Sequence, residues 1–302
     1  MYDVMIIGSG PAGMSAAIYA ARACLKTLLL EQQPVGGGQM INAQEVENYP
    51  GIAEAGGFEL GQKFQEHAEA LGVRPVTEEV LQLDCQGKIK RAVTAKGEYE
   101  AKVLIYAAGA GSRKLGVPGE EIFTGRGVSY CAACDGAFFR NKTVVVAGGG
   151  DTALSDALLL SKGCKKVYLV HRRDTFRAAK TLQKKAAETE NIEMVLESAV
   201  CEIHGDDAVQ KITVSHVKTG EKRELAAEGI FVAIGTEPHT RLLMGQVDLD
   251  ENGYVIAGED CRTSADGVFA AGDVRTKPLR QIVTAAADGA NAIASAEHYL
   301  FL

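Results

Sequence analysis

The sequence has no tryptophan, only 9 tyrosines and 9 phenylalanines, and 7 prolines in 302 residues. With so few large side chains, close approaches to a ligand fall to the backbone. It also lacks a cationic surplus: 32 Lys and Arg against 39 Asp and Glu give a formal net charge of −7. That excludes wholesale binding of nucleic acid or acidic membrane, because both need excess positive charge to neutralise phosphate. No leader or membrane span is legible. The run from Met5 to Leu30 is apolar, but Asp3 stands where a basic segment belongs, and Arg22 and Lys26 interrupt it. A disulfide framework is missing too, since Cys24, Cys85, Cys164, Cys201 and Cys261 are scattered singly. Such usage belongs to a reducing compartment and predicts a cytoplasmic protein.

What is present is an ordinary folded composition, 46% hydrophobic and 24% charged, in a length that suits two domains. Glycine is the exception, with 34 residues against a usual share of about 7%. Charge is uneven as well. Residues 114–241 hold 18 basic and 17 acidic side chains, while the rest holds 14 and 22, so an anionic ligand is better received in the middle of the chain.

One pattern occurs twice. Tyr2 to Ile7 reads as a strand, followed by Gly8-Ser9-Gly10-Pro11-Ala12-Gly13 and an Ala-rich helix to about Ala23; Thr27 to Leu30 then reads as a strand ending in Glu31. From Thr143 the same syntax returns: Gly148-Gly149-Gly150-Asp151-Thr152-Ala153, a helix through Leu160, and a strand from Lys166 to Val170 ending at His171-Arg172-Arg173. Two nucleotide-binding βαβ units are predicted. Further strands are expected over Lys102 to Ala107, Gly229 to Ile234 and Gly267 to Ala271, and a last helix over Arg280 to Leu300. The Gly- and Pro-rich segments Gly109 to Gly119 and Gly235 to Arg241 read as two domain crossings. The expectation is an α/β protein with two Rossmann-like domains, in which 114–241 is inserted into a discontinuous domain made of 1–113 and 242–302.

In the first turn Gly8 permits the bend, Gly10 admits a pyrophosphate, and Gly13 allows close helix packing, with the helix N-terminus donating N–H groups to the anion. Glu31 is placed to accept ribose hydroxyls and to repel a 2′-phosphate, which suits FAD or NAD. The second unit reverses that preference. Counted from Gly148, the position of Glu31 falls on His171, followed by Arg172 and Arg173, with Arg177 one turn on; three guanidinium groups can grip a 2′-phosphate. Cys131-Ala132-Ala133-Cys134-Asp135 has no second pair to complete a zinc site, so a redox dithiol fits it better. Asp135 is either a proton carrier for that dithiol or an exposed cap.

These features together resemble the low-molecular-weight, NADPH-dependent thioredoxin reductases, essentially end to end. The resemblance extends to Gly37-Gly38-Gln39-Met40, Val46 to Gly51 with Asn48, Gly125 to Tyr130 before the CxxCD, Phe176-Arg177-Ala178, and Val268 to Asp273, with Gly272, leading to Arg280-Gln281. It implies a homodimeric flavoprotein with FAD in the first domain and NADPH in the inserted one. Electrons then pass from NADPH to FAD, to the Cys131–Cys134 disulfide, and to thioredoxin, with the NADPH domain rotating between half-reactions. By the same resemblance Cys134 faces the flavin, Cys131 attacks thioredoxin, and Asp135 is the acid; Arg126, Phe138 and Phe139 are expected to meet thioredoxin.

The chain departs from the familiar pattern at Ser155-Asp156, where many members carry Glu-Glu, at Ala137, where many carry an aromatic, and at Leu279, where Tyr is frequent. Rival readings are a ferredoxin-fed relative, which lacks the second glycine turn and the arginines; a reductase of a peroxiredoxin-type system, which carries an extra N-terminal domain; and a nucleotide-binding redox sensor.

Overall fold

Val4 to Ile7, Leu28 to Leu30 and Val144 to Val146 are unbroken apolar runs, the composition of strands covered on both faces, and each is buried as the centre of a parallel sheet. The computed structural model describes residues 1–43, 46–52 and 55–301. In it the chain forms two units, Met1–Gly111 with Glu237–Leu302, and Ser112–Thr236.

In the first unit the parallel strands lie in the order Pro75–Thr77, Thr27–Glu31, Tyr2–Ile7, Glu98–Tyr106, Val268–Ala270. Ile7 sits opposite both Leu30 and Tyr106. The N-terminal half of Glu98–Tyr106 turns to antiparallel pairing with Lys90–Thr94, and that strand pairs with Val80–Asp84. Helix Pro11–Arg22 starts with proline in its first turn, where a missing N–H costs nothing. It packs with helix Ile282–Leu300 over Val4, Ile6, Val103 and Ile105. The helices meet at backbone distance: a Cβ on Gly289 would lie 2.1 Å from the Ala12 carbonyl oxygen.

The inserted unit repeats the plan. Its parallel order is Ile192–Val195, Lys166–Val170, Thr143–Gly148, Gly229–Ala233, Val128–Ser129. An antiparallel sheet of Ser198–Gly205, Val209–His216 and Lys222–Ala226 accompanies it. No described helix is long and apolar enough to cross a membrane.

The crossings come earlier than residues 114 and 242. Strands Ala110–Ser112 and Thr236–Pro238 pair with each other as a ribbon. The Gly-Pro stretch that follows the first of them already belongs to the inserted unit, because the buried Glu120 carboxylate accepts the Leu115 and Gly116 N–H groups at 2.8 and 2.7 Å. The turn Arg241–Leu243 belongs to the first unit, where Leu243 is buried with Leu30 and Leu104.

Candidate active site

Both glycine turns follow the carboxyl ends of central strands. Gly13 is demanded by the protein itself, since a Cβ there would stand 1.8 Å from the Gly8 carbonyl oxygen. Gly10 and Gly150 are different. Their φ angles, −68° and −96°, suit any residue. A Cβ on Gly10 would meet nothing nearer than Gly38 Cα at 3.8 Å, and one on Gly150 would meet nothing within 4 Å. Neither glycine is called for by the described packing around it, whereas a pyrophosphate drawn close to the backbone would require one, so these residues fit a dinucleotide in each unit. The contrast is testable: Gly150→Ala is expected to leave the melting temperature unchanged while weakening pyridine-nucleotide binding. Gly148→Ala puts a Cβ 2.3 Å from the Ala233 oxygen and should cost at least about 1–3 kcal/mol of stability. A destabilised Gly150→Ala would show that the turn needs glycine for folding.

The first unit gathers its candidates around the turn. Glu31 is buried and points back to it, accepting the Ser9 N–H at 2.8 Å and hydroxyl at 2.7 Å on Oε2, and the Gln33 N–H on Oε1. A carboxylate has about four lone-pair sites, so capacity for a ribose hydroxyl is left. The Gly37 N–H donates to Ser9 O at 2.9 Å, which lays Gly37 and Gly38 against Gly10. Gln39 donates to the Ala110 carbonyl, and Asn48 donates to Gln281 Oε1 at 3.0 Å, where Gln281 caps the last helix. Pro11 and Ala12 open the first helix, and Gly272 lies on Ala12. Arg280 stacks 4.0 Å over the Tyr254 ring and donates to Asp273 O. Asp273 Oδ1 is buried with no hydrogen-bond partner among the described residues, and burial pushes its carboxyl up. A ligand hydroxyl or amide is the kind of donor such an oxygen requires.

Asp288 gave no signal in the sequence, yet it holds this segment. Its carboxylate accepts the Gly272 N–H at 2.9 Å, Arg275 Nε and Nη2 at 2.9 and 2.7 Å, and Lys277 Nζ at 2.7 Å. Burial alone would raise the Asp288 carboxyl; the bonds from Arg275 and Lys277 outweigh it and hold it below its usual range.

In the inserted unit His171 packs against the turn, so a Cβ on Gly149 would lie 2.2 Å from its ring. Burial pulls the imidazole below its usual range, a backbone hydrogen bond with Thr175 opposes this, and Arg173, Arg177 and Arg172 add to it; the ring stacks on Phe176 at 5.3 Å. Arg172, Arg173 and Arg177 are exposed. The Arg177 N–H donates to Gly149 O at 2.9 Å, drawing the basic segment to the turn. Asp151 accepts the Ala179 N–H at 2.7 Å, Thr152 is exposed, and Ala153 is buried beneath the helix start.

The dithiol follows edge strand Val128–Ser129. It therefore lies at the carboxyl edge of the same parallel sheet as the glycine turn after Thr143–Gly148 and the arginines after Lys166–Val170. Cys131 and Cys134 are joined, with Cα atoms 5.3 Å apart, and Cys131 caps helix Ala132–Asp135. Asp135 is not an exposed cap: it is half-buried and accepts the Ser129 hydroxyl at 2.6 Å. Burial raises its carboxyl, and the serine bond opposes the rise. Ser155 is exposed, whereas burial pushes Asp156 up to about 6.

One expectation needs correction. Phe138 and Arg126 are exposed, but Phe139 is only 8% exposed and packs edge-on to Phe231 at 5.1 Å. Burying such a ring contributes about 1.5–3 kcal/mol, so Phe139 is a core residue and not part of a docking surface.

Two dinucleotide-type turns in separate units, one sharing its sheet edge with a cysteine disulfide, define a two-nucleotide disulfide oxidoreductase. Residues 2–289 match the family described as pyridine nucleotide-disulphide oxidoreductase. The chain belongs to that family and, within it, to the thioredoxin reductases. It is 47% identical to the thioredoxin reductase of Peptoclostridium acidaminophilum, over 99% of this chain and 97% of that protein. It is 44% identical to that of Bacillus subtilis, over 99% and 95%. The crystal structure of thioredoxin reductase from Streptococcus pyogenes superposes with a TM-score of 0.91 at 46% identity, covering 100% of this chain and 98% of that one. Membership implies a flavin and a nicotinamide cofactor.

Proposed function

We propose that the protein is an NADPH-dependent thioredoxin-disulfide reductase, with FAD in the discontinuous unit and NADPH in the inserted one. The observation that carries this reading is the shared carboxyl edge: glycine turn, exposed arginines and the Cys131–Cys134 disulfide stand at one end of one parallel sheet. In the first unit Gly8, Gly10, Pro11, Ala12 and Gly13 receive the FAD pyrophosphate. Glu31 takes the ribose, and Gly37, Gly38, Gln39, Asn48, Gly272, Asp273, Arg280 and Gln281 line the remainder. In the inserted unit Gly148, Gly150, Asp151, Thr152 and Ala153 receive the NADPH pyrophosphate, and Arg172, Arg173 and Arg177 take the 2′-phosphate. Bound flavin supplies a two-electron carrier between nicotinamide and disulfide.

The chain's own residues then perform thiol–disulfide exchange. The Cys131 sulfur bonds to one thioredoxin sulfur as that disulfide breaks, and the Cys131 proton passes to the sulfur released. Cys134 attacks Cys131, closing the intramolecular disulfide and freeing the second thioredoxin thiol. Two electrons leave the dithiol and two thiols form on the partner. Asp135 carries the proton between attacking and leaving sulfur, and the exposed Arg126 and Phe138 contact thioredoxin. A single dithiol serves flavin and protein in turn if the inserted unit rotates about the paired crossing strands. The glycine turn and arginines of the inserted unit weigh against a ferredoxin-fed enzyme. A cytoplasmic homodimer is part of the same proposal, to be tested by light scattering.

The purified protein is expected to be yellow, with about one FAD per chain, and to oxidise NADPH steadily only when an oxidised thioredoxin is supplied. A panel of thioredoxins and glutaredoxins, each with NADPH and NADH, tests this. A colourless protein that takes up no FAD overturns the assignment, and FAD binding without turnover on any disulfide points to a redox sensor.

A further inference from the structure

Ser129 ends its strand as a buried residue, and its hydroxyl lies between the two ends of the dithiol turn. It donates to Asp135 Oδ2 at 2.6 Å, accepts the Cys131 N–H at 3.1 Å, and stands 3.4 Å from the Cys131 carbonyl oxygen. A hydroxyl has one hydrogen and two lone pairs. While Asp135 is ionised, the hydrogen goes to the carboxylate and a lone pair takes the amide. When Asp135 is protonated, its own O–H donates to the serine oxygen and the hydroxyl hydrogen turns to the Cys131 carbonyl. Each group keeps a partner in either state. Among the described residues, Ser129 is the only side chain hydrogen-bonded to the Asp135 carboxylate.

We propose that Ser129 is a positioning residue that holds the Asp135 carboxyl at the dithiol turn in both protonation states and leaves Oδ1 free to exchange a proton with sulfur. This rests on the reading of Asp135 as the proton carrier of the dithiol. To accept the proton of an attacking thiol, Asp135 must begin ionised, and the serine bond favours that form against the cost of burial. Among the described residues, the elements packed most closely on helix Ala132–Asp135 are helix Asp151–Ser161, with Asp151 and Asp156, and the turn Gly136–Phe139, which has no titratable group. Asp151 is engaged by the Ala179 N–H. Burial raises the Asp156 carboxyl too, but Asp156 is common to parent and variant, so a difference between their pH profiles belongs to Ser129.

The test compares FAD-loaded Ser129→Ala, Ser129→Thr and Asp135→Asn with the parent by thioredoxin reduction across pH and by melting temperature. Losing a hydrogen bond to a charged group corresponds to a tenfold or larger change. Ser129→Ala is therefore expected to move the acid limb of the profile up by about one pH unit while lowering the melting temperature by only a few degrees, because the Cys131 N–H and the Asp135 carboxylate each lose a partner, and Ser129→Thr, which keeps the hydroxyl, to restore both. An unshifted Ser129→Ala profile beside an impaired Asp135→Asn overturns the inference alone. A Ser129→Thr protein that melts like the parent yet behaves like Ser129→Ala overturns it too. Full activity in Asp135→Asn overturns the role given to Asp135 in the proposed function.

Discussion

Cys134→Ser is expected to accumulate a covalent adduct with a thioredoxin that lacks its own resolving cysteine, because the Cys131 thiol is left to attack and nothing resolves the mixed disulfide. Cys131→Ser should trap little thioredoxin. It retains the sulfur assigned to the flavin side, whose thiolate adds a long-wavelength absorbance band to oxidised FAD. Flavin reduction by NADPH survives in both variants, while thioredoxin reduction falls to background in both. Gel shift under non-reducing conditions and absorbance spectra separate the two roles. An adduct formed only by Cys131→Ser exchanges the assignments, and full turnover in either variant removes the disulfide from the mechanism.

Replacing Arg172 and Arg173 by Ala is expected to raise the Michaelis constant for NADPH and to leave that for NADH nearly unchanged. Both side chains are exposed at the strand end, and only NADPH carries a phosphate for them. A hydrogen bond to a charged group contributes about 1.5–3 kcal/mol, so each loss weakens NADPH binding roughly 10- to 150-fold. The effect should shrink at high salt, because exposed charges are screened. Equal losses for both nucleotides would mean that the arginines serve folding or general charge.

The parallel cores were legible because strands covered on both faces read as continuous apolar runs, and the glycine turns because their chemistry is local in sequence. The antiparallel layers were not. Lys222–Ala226 leaves four of its five residues exposed, so a strand and a polar loop look alike there. Contacts that organise the site across distance were equally hidden: Asp288 with Gly272, Arg275 and Lys277 joins residues that no spacing rule connects. Phe139 was misplaced because a tight 3₁₀ turn, Gly136–Phe139, sends neighbouring aromatics to opposite sides. Sequence shows that two aromatics are adjacent and is silent on which of them meets the Phe231 ring.

The interruption of the first unit has a consequence for its biosynthesis. Strand Glu98–Tyr106 is completed by Val268–Ala270, and the sheet face carrying Val4, Ile6 and Ile105 is covered by helix Ile282–Leu300. Both partners are translated only after the whole of Ser112–Thr236, which at about 5–20 residues per second means a delay on the order of 10 s. During that interval the nascent first half presents an open strand edge and bare apolar surface, the features that recruit chaperones and seed aggregation. The inserted unit has every strand of its parallel sheet between Val128 and Ala233 and is expected to fold on the ribosome before its host. A stop codon shortly after residue 236 should therefore yield a chain whose inserted unit resists protease while residues 1–111 are digested.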